Sequence, residues 1–136
     1  YGVMPRNTFL NSPAVLSADY SVRRRPNLFF AGQITGVEGY MESASSGIVA
    51  GINAARRAAG QRPFLPPETT MTGALCRYAA NGGKGPFQPM GANFGILPPL
   101  PEKIRCKQER YAALAARALA DLASAFAEEG VAFSDR

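Results

Sequence analysis

The stretch Leu28–Tyr40, LFFAGQITGVEGY, limits the fold more tightly than any other part of the chain. Leu28–Ala31 is a continuous apolar run, bounded by Pro26–Asn27 and by Gly32. A short run of that kind reads as a strand covered on both faces, as in a parallel sheet. Glycines at 32, 36 and 39 then form a turn, and MESASSGIVAGINAARRAAG continues as a helix rich in small residues. The pattern predicts an α/β fold with a strand at 28–32, a glycine turn at 32–39 and a helix at 40–59. Gly47 and Gly51 each weaken such a helix by roughly 1 kcal/mol against alanine, a cost usually offset where another backbone packs close. Gly60 is a natural stop.

In α/β folds, ligands sit beyond the carboxyl ends of the strands. A helix start there offers free N–H groups and partial positive charge to an anion or an electron-rich ring. Glycine lets backbone touch ligand without a Cβ between them. Gln33 carries both a donor and an acceptor, which suits a flavin pyrimidine edge or ribityl chain. The spacing from Gly32 is GxxxGxxG, not GxGxxG. Spacing alone fits equally a tight turn that only packs a helix against a sheet. Tyr40 either edges a ring or staples the helix start, and Glu42 complements the helix dipole.

The flanking sequence is more loosely patterned. Residues 1–13 read as an extended loop with a short strand near Thr8–Leu10, 14–22 as a weak strand or turn, and Arg23–Arg24–Arg25 before Pro26 as a loop. Gln61–Pro67 is a proline-rich connector. Thr72–Ala80 reads as a short helix ended by Asn81–Gly82–Gly83. The Pro/Gly loop 83–101 carries Phe87, Met90, Phe94, Ile96 and Leu97, which argue that it is packed down. Residues 102–128 read as an amphipathic helix with an apolar face of Ile104, Tyr111, Ala115, Ala118, Leu122 and Phe126. Lys103, Lys107, Arg110 and Arg117 fall on its other face, either as a phosphate-contacting stripe or as an ordinary solvated one. The same two readings apply to Arg23–Arg25.

With 136 residues the chain is one domain at most, and its start on Tyr1 within a patterned segment reads as a piece of something longer. The net charge of +5 suits an anionic partner such as nucleic acid. The chain has no histidine, so no Ser–His pair or histidine metal site can be drawn, and no metal is expected. Its two cysteines, Cys76 and Cys106, are widely spaced. That pattern fits a structural role and a reducing, cytoplasmic compartment. No apolar run is long enough to cross a bilayer.

The segment LFFAGQITGVEGYMESASSGIVAGINAARRAAG resembles the C-terminal flavin-contacting segment of folate- and FAD-dependent tRNA (uracil-5-)-methyltransferases. The related tRNA wobble-uridine modification flavoproteins carry a similar AGQ-x-x-G-x-x-GY-x-E segment. RNTFLNSP at 6–13, TGALCRY at 72–78 and FQPMGANFGILPPL at 87–100 point to the methyltransferase branch. The resemblance implies a fold: the C-terminal portion of a glutathione-reductase-type, Rossmann-like FAD-binding domain over 1–68, and a C-terminal helical extension over 69–136. It implies methylation at C5 of a T-loop uridine in tRNA. Methylenetetrahydrofolate would supply the one-carbon unit, and NADH or NADPH would reduce the flavin. It places Gly32, Gln33, Gly36, Gly39, Tyr40 and Glu42 at the flavin, and the catalytic residues upstream of this chain. Asn7 and Asn93 are candidates beside the substrate pocket or simply turn formers. The partners implied are tRNA and the remainder of the FAD-binding domain. The alternatives are a wobble-uridine modifying flavoprotein and a non-catalytic module that binds flavin and RNA. The chain departs from the family pattern at Pro5, where many members carry His, and at Gly91, where they carry Asn.

Overall fold

The computed structural model describes residues 8–83 and 85–130; Pro5, Arg6 and Asn7 lie outside the described residues. The fold is α-rich with one small sheet. A single helical turn, α1 (Ser12–Val15), starts on a proline at its first positions. It leads into a two-stranded antiparallel hairpin, β1 (Ser21–Val22) and β2 (Arg25–Phe29). Three longer helices follow: α2 (Tyr40–Ala58), α3 (Met71–Asn81) and α4 (Lys107–Glu128).

The hairpin corrects several expectations. Thr8–Leu10 is not a strand, and residues 12–15 are helical. The strand runs from Arg25 to Phe29 rather than over 28–32, and its neighbour is antiparallel. Four of its five residues are exposed, Leu28 at 43%. Pro26 sits in it without penalty because an edge strand need not donate on both sides. The tight turn through Arg23–Arg24 determines this pairing: two residues suffice to fold one strand back on the other. Tyr20, the one non-glycine described residue with φ above zero (+65°), sets up the entry. Its strain is held by Asp19, whose Oδ1 accepts from the Ser21 N–H at 3.0 Å and the Ser21 hydroxyl at 2.6 Å.

The core joins Leu16 and Tyr20 to Val49 and Ala50 of α2 and to Cys76 and Ala79 of α3, with Val22, Phe29 and Phe30 packed around them. One core therefore crosses the expected boundary at residue 68. α2 buries Ser46, Val49, Ala50 and Asn53. It ends in a Schellman pattern, with Gly60 N–H donating to the Arg57 carbonyl (3.1 Å) and Gln61 N–H to that of Arg56 (2.8 Å). Gly47 and Gly51 have nothing within 4 Å, so within this chain they are not the close-contact positions the sequence suggested. Asn53 instead joins α2 to the connector: its amide donates to the Phe64 carbonyl (2.9 Å) and accepts from the Phe64 N–H (2.7 Å).

α4 begins at Lys107 rather than 102, so Lys103 precedes the helix. Of the expected apolar face, Ile104, Tyr111, Ala118, Leu122 and Phe126 are half-buried and Ala115 is exposed; Leu114 is the fully buried position, and the inward face widens to take in the half-buried Arg110, Arg117 and Asp121. Polar side chains turn inward because they have partners there. Asp121 accepts from the Thr69 hydroxyl (2.6 Å), and Glu129, just past the helix end, pairs with Arg56 (2.8 Å). Phe64 stacks on Phe126 at 5.1 Å.

Burial pushes the Cys76 thiol up to about 11, only partly offset by a hydrogen bond from Tyr20; burial also raises the Tyr20 hydroxyl. An unfolded thiol loses its proton near its ordinary value of 9.0. Above that pH the native state holds a proton that the unfolded state has lost, so stability falls as pH rises. We expect a loss on the order of 1 kcal/mol per pH unit between about pH 9 and 11. Denaturant midpoints across that range check this, and Cys76→Ala should flatten the fall.

Candidate functional site

The glycine turn is held from below by hydroxyls. Gly32 (φ +77°, ψ −162°) donates its N–H to Ser46 Oγ at 2.7 Å, and that hydroxyl donates to the Ser43 carbonyl at 2.7 Å. The Gly32 carbonyl accepts from the N–H of Thr35 (2.9 Å) and from its hydroxyl (2.8 Å), closing a 3-10 turn over Gln33–Thr35. The buried Ser12 hydroxyl donates to the Thr35 carbonyl at 2.9 Å. Nothing in the sequence marked Ser12, Thr35 or Ser46 for this task.

Loop 86–101 closes the turn from the side. Val37 bridges Met90 in parallel, with Glu38 N–H donating to the Met90 carbonyl (3.0 Å) and Met90 N–H to that of Gly36 (2.9 Å). Gly36 is buried under Phe87; a Cβ there would lie 2.5 Å from the ring. Its αL conformation (φ +79°) lets the backbone pack under that ring. Phe87 in turn meets Phe9 (6.2 Å) and Tyr78 (5.5 Å). Gly91 brings the loop close to the turn: a Cβ there would lie 3.2 Å from the Glu38 carbonyl oxygen, a contact relieved only by a shift of a few tenths of an ångström.

Gly39 (φ +111°, ψ 154°) precedes α2 as its N-cap without a side-chain cap. That conformation is essentially restricted to glycine. The amides of the first helical turn therefore have no side-chain acceptor from the cap and open on a cleft of about 600 Å³ lined by Gln33, Gly39, Tyr40 and Ser43. Gln33 is exposed, and Tyr40, 98% exposed, staples nothing. Glu42 folds back against Gly39, and its Oε1 accepts from the Ala92 N–H at 3.0 Å. It thus ties loop 86–101 to the helix start and places a negative charge within the first turn. Of the expected cofactor residues, the structure gathers Gln33, Gly39 and Tyr40 at the cleft, leaves Gly32 as the turn beneath it, and engages Gly36 and Glu42 in packing. Asn93 caps a second 3-10 turn (Phe94–Ile96): its Oδ1 accepts from Gly95 N–H at 2.9 Å and its amide donates to the Gly91 carbonyl at 3.1 Å.

The basic residues separate into different roles. Arg117 donates to the carbonyls of Pro98 (2.6 Å) and Pro99 (2.8 Å) and clamps the proline segment onto α4, a structural engagement in place of the expected free cation. Arg23 donates to the Ala80 carbonyl at 3.0 Å, at the carbonyl end of α3. Lys107 and Arg110 sit over the Tyr111 ring at 5.5 and 5.6 Å, and Lys103 is exposed beside them. Cys76 is buried and Cys106 exposed. Among the described residues no group of three metal-ligating side chains converges, and no helix is long and apolar enough to cross a membrane.

Comparison with known proteins adds sequence relationships to this geometry. The family model described as Glucose inhibited division protein A matches residues 1–62. The methylenetetrahydrofolate–tRNA-(uracil-5-)-methyltransferase TrmFO of Lacticaseibacillus paracasei is 59% identical over 124 residues, covering 91% of this chain and 28% of that protein. The protein of the same name from Desulfitobacterium hafniense is 53% identical over 131 residues, covering 96% of this chain and 30% of its own length. Among solved structures, GidA of Aquifex aeolicus in its form II crystal is 37% identical with a TM-score of 0.49, covering 57% of this chain and 13% of that one. The chain spans under a third of the length of the curated relatives it matches.

Proposed function

The chain is related across about nine-tenths of its length to the methylenetetrahydrofolate–tRNA-(uracil-5-)-methyltransferases, and from that premise we propose that it forms the flavin-closing, RNA-facing part of such an enzyme. The single observation that carries the reading is the open start of α2 beside Gly39, where amides without a side-chain cap meet a cleft lined by Gln33, Gly39, Tyr40 and Ser43. The residues present fit an FAD ring there. Glu42 already places a carboxylate in the first turn, so a diphosphate is disfavoured and an uncharged, electron-rich ring edge is accommodated. Tyr40 and Met41 N–H groups would donate to that edge, Gln33 would orient it, and the Ser46–Gly32 bond would keep the turn from closing over it.

FAD, when bound, supplies the redox chemistry that a one-carbon transfer from methylenetetrahydrofolate to uridine C5 requires, with NADH or NADPH as the reductant. This chain's part is to position the ring and exclude water from one side of it. The remainder of a Rossmann-like FAD-binding domain would cover the open edge of β2, with exposed Leu28, and the α2 face that carries Met41 and Ile48, 80% and 64% exposed. Gly51→Ala, one turn from Ile48 on that face and with nothing within 4 Å in this chain, tests that cover. It is expected to stabilise the 136-residue chain by up to about 1 kcal/mol and to destabilise the full-length protein. Stabilisation of both would mean the face stays open.

The test of function is direct. The full-length protein is expected to purify yellow, release FAD on denaturation, and methylate a T-loop uridine of tRNA when given methylenetetrahydrofolate and NADH or NADPH. A colourless protein that gains no flavin absorbance on titration with FAD would end this reading. Flavin binding with modification of a wobble uridine instead would favour the wobble-modifying branch.

A further inference from the structure

The largest cleft described in the molecule is not at the glycine turn. It lies between the Pro98–Pro101 segment and the start of α4, with a volume of about 710 Å³. Its floor is apolar, formed by Leu97, Leu100, Ile104 and Leu114. Its wall is the Phe94–Tyr111 pair, stacked at 4.1 Å with planes 10° apart. Its rim carries Lys103, Arg105 and Arg110. Among the described residues none of these three is paired with a carboxylate, whereas Arg56 and Arg77 are. Arg117 fixes the far side by holding the Pro98 and Pro99 carbonyls, so the cleft is braced and not a gap between loose segments.

We propose that this cleft takes one unstacked nucleotide of the RNA substrate, its base on the face of Phe94 turned away from Tyr111 and its phosphate on the Lys103–Arg105–Arg110 rim. The inference rests on the tRNA reading above and adds to it a pocket, a ligand class and a mode of recognition. Sequence-tolerant binding of single-stranded nucleic acid combines cationic tracks with aromatic faces in this way. The volume is that of a small-ligand site, large enough for a base with its ribose. A duplex cannot use it, because its bases are stacked and its backbone is too wide to enter. Lys107 and Arg110 rest over Tyr111, which holds their charge at the rim and keeps the ring oriented. Glu102 at the same rim offers a carboxylate acceptor to a base N–H edge.

The experiment uses the full-length protein and two RNA probes of equal length, a T-arm stem-loop and a fully paired duplex. Phe94→Leu is expected to weaken stem-loop binding about tenfold, the value of one stacked base, and to leave duplex binding unchanged. Arg105→Gln, at an exposed position on the rim, is expected to weaken binding and to lower the salt slope by about one. A stem-loop carrying 5-bromouridine should photocrosslink to peptides within residues 94–111, a readout that does not depend on any variant folding. Equal losses on both probes for Phe94→Leu, or crosslinks confined to other peptides, would overturn the cleft while leaving tRNA binding intact. Failure of the unsubstituted protein to bind either RNA would overturn the tRNA reading itself.

Discussion

Gly73→Ala is expected to lower the unfolding free energy by about 3 kcal/mol or more, a large loss for one methyl group. The first turn of α3 runs directly over the Pro66–Pro67 backbone. A Cβ at Gly73 would overlap the Pro67 carbonyl oxygen and lie 2.5 Å from that of Pro66. Neither oxygen can swing away as a side chain would. The Pro67 carbonyl is fixed by the Thr70 N–H (2.9 Å) and by the Thr70 hydroxyl (2.7 Å), and that same hydroxyl accepts from the Gly73 N–H (2.9 Å) to cap α3. Relief therefore means lifting α3, which carries Cys76 and Ala79 out of the core, or losing the cap. Denaturant midpoints at constant slope measure the effect. A change within 0.5 kcal/mol, the usual scatter of surface substitutions, would show that the α3–connector contact is looser than it stands here.

Gly39→Val is expected to strip flavin from the full-length protein, weakening FAD retention by at least about tenfold, while costing only about 1–3 kcal/mol of stability from backbone strain. At φ +111° and ψ 154° a β-branched residue is strained whatever space surrounds it, and its Cβ would fall on the Glu42 carboxylate. Displacing Glu42 releases the Ala92 N–H and with it the tie between loop 86–101 and the helix start. The ring edge would then meet a moved helix end and a side chain in the cleft. Flavin content after gel filtration, read at the visible absorbance band, decides the matter. Wild-type occupancy in a folded Gly39→Val protein would place the flavin contact elsewhere. The two substitutions are complementary: Gly73 acts far from the cleft through α3 packing, and Gly39 acts at it with the core intact.

Much of this was legible in the residues. The run from Ala31 into Gly32–Gly39 and then into a long helix announced the turn and the helix start. The stops at Gly60 and Gly82 were equally plain, because both need φ above zero. What misled was the apolar run Leu28–Ala31. Hydrophobicity said that these residues are to be covered, but not by what, and within this chain the hairpin turn at Arg23–Arg24 supplies an antiparallel neighbour on one side only. The basic stripe misled for a related reason. Helical spacing placed Arg117 with Lys107 and Arg110, yet two proline carbonyls, which cannot be satisfied by a helix of their own, draw its guanidinium inward. Leu114 went unnoticed as the buried position of α4 because the alanines around it blur the apolar face.

Local sequence set where the long helices stop and that a glycine-lined helix start follows an apolar run, because glycine and proline act through sterics within one or two residues. Packing between distant elements set which glycines face a cleft and which lie under a ring, which arginines are engaged, and where the cleft beside the start of α4 forms. Those outcomes depend on Phe87 reaching Gly36, on Glu42 reaching Ala92 and on Arg117 reaching Pro98 and Pro99. Contacts between distant residues are set by how packed elements meet, and no local pattern encodes them.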